Sequence, residues 1–266
     1  LAASAPELDD LKPIDQGASS VVYAADGTRL GFIQSNVLRT PIPDKDIPQS
    51  VKDATVAIED ERFYQHKGVD FEGIVRAAIK NLESGSTLEG GSTLTMQLVR
   101  TLYISKERTF KRKIHEAKLA EELENVHDKR WILNQYVNNV PYGTVGGQEL
   151  IGIQAASRAY FDKPAKRLEL HEAAMLAGLP QAPSQYNPYL YPERALRRRN
   201  QVLRKMAQLK MISEADAEAA IAKPLGVSDG RYYTQRRESF FFDYVRQELI
   251  ERYGAERVRR GGLKIY

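Results

Sequence analysis

Consecutive carboxylates follow a short apolar run early in the chain, and they are the first residues whose chemistry stands out. The segment 56–68 reads VAIEDERFYQHKG, so its fourth to sixth residues are all acidic. If residues 55–66 are helical, Glu59, Phe63 and His66 share one face of the helix. A carboxyl group beside apolar surface and other acids has a raised pKa, which suits a group that accepts or donates protons. A solvated acidic helix start remains the alternative.

A second candidate carboxylate lies in a segment rich in positive charge. The apolar spacing predicts a helix from about Thr109 to Asn125, with Glu116 on its apolar face one turn after Arg112. The cations of this stretch are Lys106, Arg108, Lys111, Arg112, Lys113 and Lys118. Such a cluster suits a phosphate group, because guanidinium and ammonium donors offset its charge. An intrahelical ion pair on a solvated basic helix stays open as the alternative.

Glycines and hydroxyl residues precede another predicted helix. The segment 90–100 reads GGSTLTMQLVR, and we expect a helix to begin near Leu94 and to carry Gln97 and Arg100. Backbone N–H groups at a helix start can hold an anion. The segment lacks the Gly-Lys-Ser/Thr of a Walker A loop, and a flexible linker with a threonine cap is the alternative reading.

Several familiar chemistries are excluded by the composition and the motifs. The chain has no cysteine, which rules out disulfides, thiolate zinc sites and cysteine nucleophiles. Its four histidines show no HExxH or other metal-ligand spacing. The sequence contains neither a GxSxG elbow nor an SxxK nucleophile motif. The net charge of +4 gives no argument for nucleic-acid binding, and no run of about 18 apolar residues could span a bilayer.

The elements that must position these residues are mostly helical, and 42% hydrophobic content in 266 residues suits a globular domain. Two apolar stretches around Asp26-Gly27 predict a hairpin, and the final GGLKIY resembles the opening of a strand. Further helices are predicted at 71–80 (amphipathic), 129–139, 149–161, 169–177 and 192–210, and Ser213 with Asp216 resembles a capping box. The basic helix 192–210 either is solvated or faces acidic lipid or nucleic acid. We therefore predict a mainly α fold, with β segments near the two ends.

Taken together and in order, these segments resemble the peptidoglycan glycosyltransferase domain (family 51) of class A penicillin-binding proteins and monofunctional transglycosylases. The first family motif, EDxxFxxHxG, matches Glu59, Asp60, Phe63, His66 and Gly68. The second matches Gly90, Gly91, Ser92, Thr93, Thr95, Gln97 and Arg100, and the third matches Arg112, Lys113 and Glu116. The fourth matches Lys129, Ile132, Leu133, Tyr136, Asn138 and Gly143. The departures from the family pattern are Met96, Thr101, Asp162 and Pro141-Tyr142, and none removes a carboxylate.

The resemblance implies a reaction and a role for each matched residue. It implies polymerisation of lipid II into glycan strands, with inversion at the anomeric carbon and undecaprenyl pyrophosphate as the leaving group. Glu59 would be the general base, and Glu116 would assist the departure of the pyrophosphate, through Mg²⁺ or Mn²⁺ or by organising the cations around it. The residues implied to bind the substrate are Asp60, His66, Ser92, Thr93, Gln97, Arg100, Arg108, Arg112 and Lys113.

The resemblance also implies an architecture and a location. It implies a lysozyme-like fold with two lobes, in which the helix at 71–80 and the loop at 83–91 lie near the membrane. We expect a hairpin-bearing segment at 1–45, the glycosyltransferase domain at 46–212, and the start of a linker to a transpeptidase domain at 213–266. The expected location is the outer face of the cytoplasmic membrane, with an anchor preceding residue 1. A lysozyme-like glycan-cleaving enzyme and a non-catalytic scaffold that binds lipid II are the alternatives.

Overall fold

Helices dominate the structure, as the sequence predicts. The structure, a computed structural model, describes residues 8, 11, 13–76, 91–104 and 110–266, with residues 110 and 111 described by their backbone alone. The helices are α1 (Gln49–Glu59), α2 (described from 71 to 76), α3 (Leu94–Tyr103), α4 (Phe110–Val126), α5 (Lys129–Asn139), α6 (Ile153–Phe161), α7 (Leu170–Ala177), α8 (Pro192–Gln208), α9 (Glu214–Ile221), α10 (Ser239–Tyr253) and α11 (Ala255–Arg260). The strands are β1 (Val21–Tyr23), β2 (Arg29–Phe32), β3 (Val37–Arg39), β4 (Pro141–Val145), β5 (Gln148–Ile151) and β6 (Lys264–Ile265).

The first sheet joins the two ends of the described chain. Strands β1 and β2 form the antiparallel hairpin that the sequence predicts, and β6 pairs parallel to β1. The strand predicted from GGLKIY is therefore confirmed. Helices α10 and α11 cover this sheet through Phe242 and Val258, which are fully buried against Val22, Leu30 and Ile33. The segment that follows the glycosyltransferase motifs thus packs on the N-terminal hairpin.

The second sheet contains a hairpin that the sequence analysis did not predict. Its strand order is β3-β5-β4, with β3 parallel and β4 antiparallel to β5. The helix predicted at 149–161 was wrong for its first residues, because 149–151 belong to β5 and the helix begins at Ile153. Gly146 and Gly147 both have positive φ, at 57° and 78°, as a tight two-residue hairpin turn requires. This Gly-Gly pair was the available sequence signal.

The largest core lies where α3, α4 and α5 pack together. Leu98 of α3, Leu119 and Leu123 of α4, and Ile132 of α5 are all fully buried in this core. Each such side chain contributes about 1.5–3 kcal/mol when it leaves water. The predicted helix near 109–125 is confirmed, and its apolar face points inward as expected. Glu116 lies on that inward face, which places a carboxylate inside the core.

A second core joins α1, α7 and α8, and it corrects the interpretation of the basic helix. Small residues such as Ala54 of α1 and Ala174 of α7 let these helices approach closely, and Val202 of α8 fills the space between them. Arg198 and Arg199 of α8 are buried, although the sequence analysis expected this helix to expose its cations to solvent or lipid. Arg199 donates hydrogen bonds to backbone carbonyls at the end of α9, including Ile221 O at 2.8 Å.

The described part of α2 exposes its apolar residues. Phe71 is 69% exposed, Val75 is 60% exposed and Ile74 is 37% exposed, so these residues do not form a core-facing stripe. The remainder of the predicted helix at 71–80 and most of the loop at 83–91 lie outside the described residues. Within the described ranges, every helix is too short or too polar to cross a membrane.

Candidate active site

Glu59 lies at the end of a helix, which changes the geometry expected for the acidic run. Helix α1 ends at Glu59, and Asp60 caps it with φ −160° and ψ 76°, outside the helical region. Residues 61–65 form turns. The expectation that Glu59, Phe63 and His66 share one helical face was therefore wrong. The chain reverses after Glu59, and this reversal leaves the carboxylate in the wall of a cavity.

The Glu59 carboxylate is buried, with one oxygen held and the other without a hydrogen bond. Its side chain is 7% exposed. Oε2 accepts a hydrogen bond from Gln97 Nε2 at 3.0 Å, and Oε1 lies 3.8 Å from Arg198 Nη2. Oε1 has no hydrogen-bond partner. Burial raises the pKa of Glu59, and the hydrogen bond from Gln97 and the charges of Arg198 and Arg100 oppose that rise.

Gln97 connects Glu59 to the core of the protein. Its Oε1 accepts a hydrogen bond from the hydroxyl group of Tyr136 at 3.1 Å, while its Nε2 donates to Glu59. Tyr136 lies on α5 and is fully buried. Both ends of the Gln97 amide are therefore engaged within the protein.

Asp60 and His66, both predicted to bind substrate, contact each other. Asp60 also reaches the N-terminus of α3. His66 Nε2 lies 3.0 Å from both Asp60 carboxylate oxygens, and Asp60 Oδ2 accepts a hydrogen bond from Leu94 N at 2.9 Å. A carboxylate is favourable at a helix N-terminus because of the unpaired N–H groups there. Asp60 lines the cavity as well. Its contacts fix the position of the turn that follows Glu59 relative to α3.

The hydroxyl residues of the second motif begin α3. Thr93 is the N-cap of α3, and its Oγ1 accepts a hydrogen bond from Met96 N at 3.1 Å. The same hydroxyl donates to Gly68 O at 2.6 Å, which links the second motif to the end of the first. Gly91, Ser92 and Thr93 line the cavity, whereas Gly90 lies outside the described residues. The threonine cap expected as the alternative reading is thus present beside the candidate site.

Gly68, the last residue of the first motif, lies against the backbone of α4. Its φ is +78°, and a Cβ at this position would lie 2.6 Å from Glu121 N and 2.7 Å from the Ala120 carbonyl carbon. Backbone atoms cannot move aside as a flexible side chain can. Only glycine fits this position without strain.

Gly68→Ala should lower the free energy of unfolding by about 3 kcal/mol or more. The left-handed conformation costs a residue with a Cβ roughly 1–2 kcal/mol, and overpacking adds about 1–3 kcal/mol. Urea denaturation of both proteins measures the loss. Gly27→Ala is the matched control, because Gly27 has φ +83° and no atom within 4 Å of an added Cβ. Equal losses for the two variants would contradict the role of the contact with α4.

The third motif lies on α4 and contains a buried ion pair. Glu116 is fully buried, and its Oε1 lies 2.9 Å from Arg112 Nε. Lys113 points to solvent and Arg108 lies outside the described residues. Among the described residues that line the cavity, Arg112, Lys113 and Glu116 do not appear. The structure therefore pairs Glu116 with Arg112 on α4, outside the described lining of the cavity.

The fourth motif ties the helices of the site together. Lys129 Nζ lies 2.8 and 2.7 Å from the two carboxylate oxygens of the buried Glu124, and Thr95 Oγ1 donates to the same carboxylate at 2.5 Å. Lys129 also lies over the ring of Phe63, 4.4 Å from its centroid. One lysine thus links α5 to α4, to α3 through Glu124, and to the turn of the first motif.

The cavity has a volume of about 430 Å³ and lies between the end of α1, the starts of α2 and α3, and α8. It is lined on the α8 side by Arg198, Gln201, Arg204, Lys205 and Gln208, with Gln181 nearby. None of these was predicted as a site residue. The sequence feature that could have revealed this side of the cavity is the position of Arg198 on the apolar stripe of α8, three residues after Ala195 and four before Val202.

Glu61 also lines this cavity. Its carboxylate lies 2.5 Å from Lys205 Nζ and 2.7 Å from Arg76 Nη2. These ion pairs hold the start of the first-motif turn between α8 and α2. Glu61 therefore helps to shape the cavity wall.

Among the described residues, no group of three or more histidine, aspartate or glutamate side chains is placed to hold a metal ion. Glu116 nevertheless presents one buried oxygen, Oε2, that has no hydrogen-bond partner, while its Oε1 pairs with Arg112. Mg²⁺ commonly binds one or two carboxylates and takes its remaining ligands from water and substrate phosphates. The single buried carboxylate of Glu116 fits that pattern.

Comparison with known proteins identifies the family of this chain. The family model described as Transglycosylase matches residues 26–207. The chain belongs to the transglycosylase family, a class of peptidoglycan glycosyltransferases, which confirms the family and the enzyme class predicted from the motifs. This match covers the acidic run, the glycine-hydroxyl segment, the buried Glu116 and most of α8.

Individual relatives are longer than this chain. It is 42% identical to Penicillin-binding protein 1A of Aquifex aeolicus (strain VF5) over 248 residues, which cover 93% of the chain and 33% of that protein. It is 38% identical to Penicillin-binding protein 2D of Bacillus subtilis (strain 168), over 93% of the chain and 36% of that protein. The crystal structure of Penicillin-Binding Protein 1A from Haemophilus influenzae is similar with a TM-score of 0.54 and 26% identity, over 95% of this chain and 27% of that one. The chain spans about a third of the length of the curated relatives it matches.

Proposed function

We propose that this chain polymerises lipid II into glycan strands, with undecaprenyl pyrophosphate as the leaving group. The observation that carries the proposal is the state of Glu59. Its carboxylate is buried in the wall of the cavity, with Oε2 held by Gln97 and Oε1 without a hydrogen bond. A proton acceptor needs such a free oxygen within hydrogen-bond reach of the substrate. Membership of the transglycosylase family supports the reaction class.

In the proposed step, Glu59 takes the proton of the acceptor's sugar 4-hydroxyl group. The hydroxyl oxygen then forms a bond with the anomeric carbon of the growing chain, while the bond from that carbon to the pyrophosphate oxygen breaks. A single direct displacement inverts the configuration at the anomeric carbon. Because Gln97 occupies Oε2, the proton is transferred to Oε1.

Cations of α3, α4 and the segment between them would stabilise the pyrophosphate as it leaves. A leaving group that gains negative charge needs positive charge fixed where that charge develops. The candidates are Arg100, Arg108, Arg112 and Lys113. Glu116 holds Arg112 at 2.9 Å, and the rigid core around Glu116 fixes that guanidinium. The cavity wall nearest to the donor, which is the growing glycan chain, would be formed or supported by Asp60, His66, Ser92 and Thr93. Gln97 would act on the substrate through Glu59.

Glu116 is also the residue that would hold a divalent cation, Mg²⁺ or Mn²⁺, together with pyrophosphate oxygens. When bound, such an ion would offset the negative charge of the leaving group. The protein's own part is to place Glu116 and Arg112 on one face of α4.

The location proposed for the domain is the outer face of the cytoplasmic membrane, where lipid II would be presented. The exposed Phe71, Ile74 and Val75 of α2 support contact with a membrane surface. Ile74 also lines the cavity, so this apolar surface is continuous with the site. The greater length of the relatives supports the proposal that the full protein carries a transpeptidase domain and an N-terminal membrane anchor.

A lysozyme-like glycan hydrolase is the second candidate, since it also uses paired carboxylates on the same polymer. The cationic cluster around Glu116 favours the transferase, because a hydrolase has no pyrophosphate to stabilise. A scaffold that only binds lipid II would not need a buried carboxylate with a free oxygen.

Labelled lipid II, supplied in detergent with Mg²⁺ or Mn²⁺, tests the proposal. The chain should convert it into long glycan strands that a muramidase degrades. A parallel reaction offers finished strands in place of lipid II, and these should keep their length. Shortening of the strands without polymer formation would support the hydrolase. Binding of lipid II without either reaction would support the scaffold.

The rate of polymerisation should fall on acidification at a higher pH than an ordinary glutamate would give. The reaction needs ionised Glu59, and burial raises the pKa of that group. The enzyme is therefore fully active above the raised pKa of Glu59, and activity is lost as the pH falls through that pKa. The pH profile of kcat, measured with saturating lipid II, gives the midpoint. A midpoint at or below the pKa of a solvated glutamate would contradict the assignment.

A further inference from the structure

A hydrogen-bonded chain runs from Glu59 into the protein and ends at a fully buried tyrosine. Gln97 Nε2 lies 3.0 Å from Glu59 Oε2, and Gln97 Oε1 lies 3.1 Å from the hydroxyl group of Tyr136. Tyr136 is fully buried. Among the described residues, the hydrogen-bond partner of its hydroxyl group is Gln97. The chain thus links the candidate base to the centre of α5.

The hydroxyl proton of Tyr136 makes the two orientations of the Gln97 amide unequal. In the observed orientation the amide accepts from Tyr136 and donates to Glu59, which suits an ionised carboxylate because that group can only accept. In the flipped orientation the amide oxygen would face Glu59, and the buried hydroxyl of Tyr136 would lose its acceptor. An unsatisfied buried donor is costly. The tyrosine therefore penalises the one orientation of the amide that would accept a hydrogen bond from protonated Glu59.

We propose that Tyr136 is a positioning residue: its hydroxyl group holds the Gln97 amide with its N–H toward Glu59, and so keeps the carboxylate ready to accept the substrate's proton. This inference rests on the proposed role of Glu59 as general base. It predicts that loss of the hydroxyl frees the amide to rotate. Protonated Glu59 then gains a hydrogen-bond acceptor, and its pKa rises further.

Other charged and titratable groups face Glu59 and would stay in place in such a variant. They are Arg198 of α8, Arg100 of α3, the neighbouring Asp60, and the buried Tyr142 of β4. None of them is hydrogen-bonded to Gln97 in the described structure, so each contributes equally with or without the Tyr136 hydroxyl.

The test measures the protonation of Glu59 directly, by carbon NMR of the 266-residue chain labelled at its glutamate carboxyl groups. Glu59→Gln identifies the resonance. Tyr136→Phe should raise the titration midpoint of Glu59 by about one pH unit, the equivalent of one hydrogen bond. Tyr160→Phe is the matched control, because Tyr160 is also fully buried and its hydroxyl donates to Tyr142 O at 3.2 Å. The titration midpoint of Glu59 in Tyr160→Phe should equal that of the wild type.

A double-mutant cycle shows whether the effect passes through the amide. Gln97→Met removes the donor and should itself raise the midpoint, and Tyr136→Phe added to Gln97→Met should raise it no further. An unchanged midpoint in either single variant, or an equal added shift in the double variant, would overturn the inference. If Tyr136→Phe fails to fold, nitrogen NMR of the Gln97 side-chain amide in the wild type decides, because an Nε2 group directed at the Tyr136 hydroxyl would overturn the inference. The titration needs no activity, so a fully active Glu59→Gln would sink the proposed base and leave this test valid.

Discussion

Glu59→Gln should lower kcat for lipid II polymerisation by about 10²–10⁴-fold, the usual contribution of a general base. Glutamine has almost the same size and shape, but its amide cannot accept the hydroxyl proton. The KM for lipid II should change little, since Glu59 acts on the proton in the transition state. Initial rates with labelled lipid II measure both constants. Polymerisation by the variant at the wild-type rate would remove Glu59 from the mechanism.

The same substitution should leave the fold intact and make it more stable at neutral pH. Burial raises the pKa of Glu59 in the folded state, so the folded protein binds more protons than the unfolded chain between the two pKa values. The contribution of Glu59 to stability therefore falls as the pH rises through that interval, and at neutral pH the ionised group destabilises the fold. Thermal unfolding of Glu59→Gln checks this sign, and a large loss of stability would show that lost activity reflects unfolding.

Glu116→Gln should lower kcat by about 10²–10³-fold, the scale for removing one electrostatic stabiliser of a developing charge. Glu116 is fully buried and pairs with Arg112, so its loss leaves that guanidinium without its anchor on α4. Glu121→Gln is the matched control, because Glu121 is an exposed carboxylate on the same helix. Equal rates for the two variants would contradict a role for Glu116 in the departure of the pyrophosphate.

A metal titration of these variants separates the two roles proposed for Glu116. If Glu116 holds a divalent cation, Glu116→Gln should need far more Mg²⁺ or Mn²⁺ for half-maximal rate, or lose the metal response. If Glu116 acts by fixing Arg112, the variant should be slower with an unchanged metal response. Wild type and Glu121→Gln should share one metal titration curve.

The sequence located the site better than it predicted the site's local geometry. Residues of the first, second and fourth motifs do meet in space: Glu59 contacts Gln97, Gln97 contacts Tyr136, and Asp60 reaches the start of α3. The predicted end of the helix was nevertheless wrong, because α1 ends at Glu59. The helical spacing of apolar residues continues through residues 59–66, but the chain leaves the helix at Asp60, whose carboxylate accepts a hydrogen bond from Leu94 N at the start of α3. That partner is 34 residues away, so local spacing could not reveal it.

The burial of cations on α8 was the other feature that could not be predicted from the sequence. Arginine is usually solvated, so α8 was read as a surface helix, yet Arg198 lies on its apolar stripe and reaches Glu59. The buried arginine is stable because hydrogen-bond acceptors satisfy its N–H donors. Its Nε donates to Gly178 O at 3.2 Å. Gln201, on α8 itself, accepts a second hydrogen bond, but Gly178 at the end of α7 and Glu59 on α1 are partners that no pattern within α8 can indicate. By contrast, the Gly-Gly turn between β4 and β5 was visible in the sequence and was missed.

The anomeric configuration of the product tests the central claim most directly. Lipid II is polymerised by the wild-type chain, and the new glycosidic bonds are examined by proton NMR while the released undecaprenyl pyrophosphate is counted. Direct displacement with Glu59 as base predicts one pyrophosphate for each bond, and a configuration opposite to that of the sugar phosphate in the substrate. Retained configuration, or the absence of polymer, would contradict the mechanism.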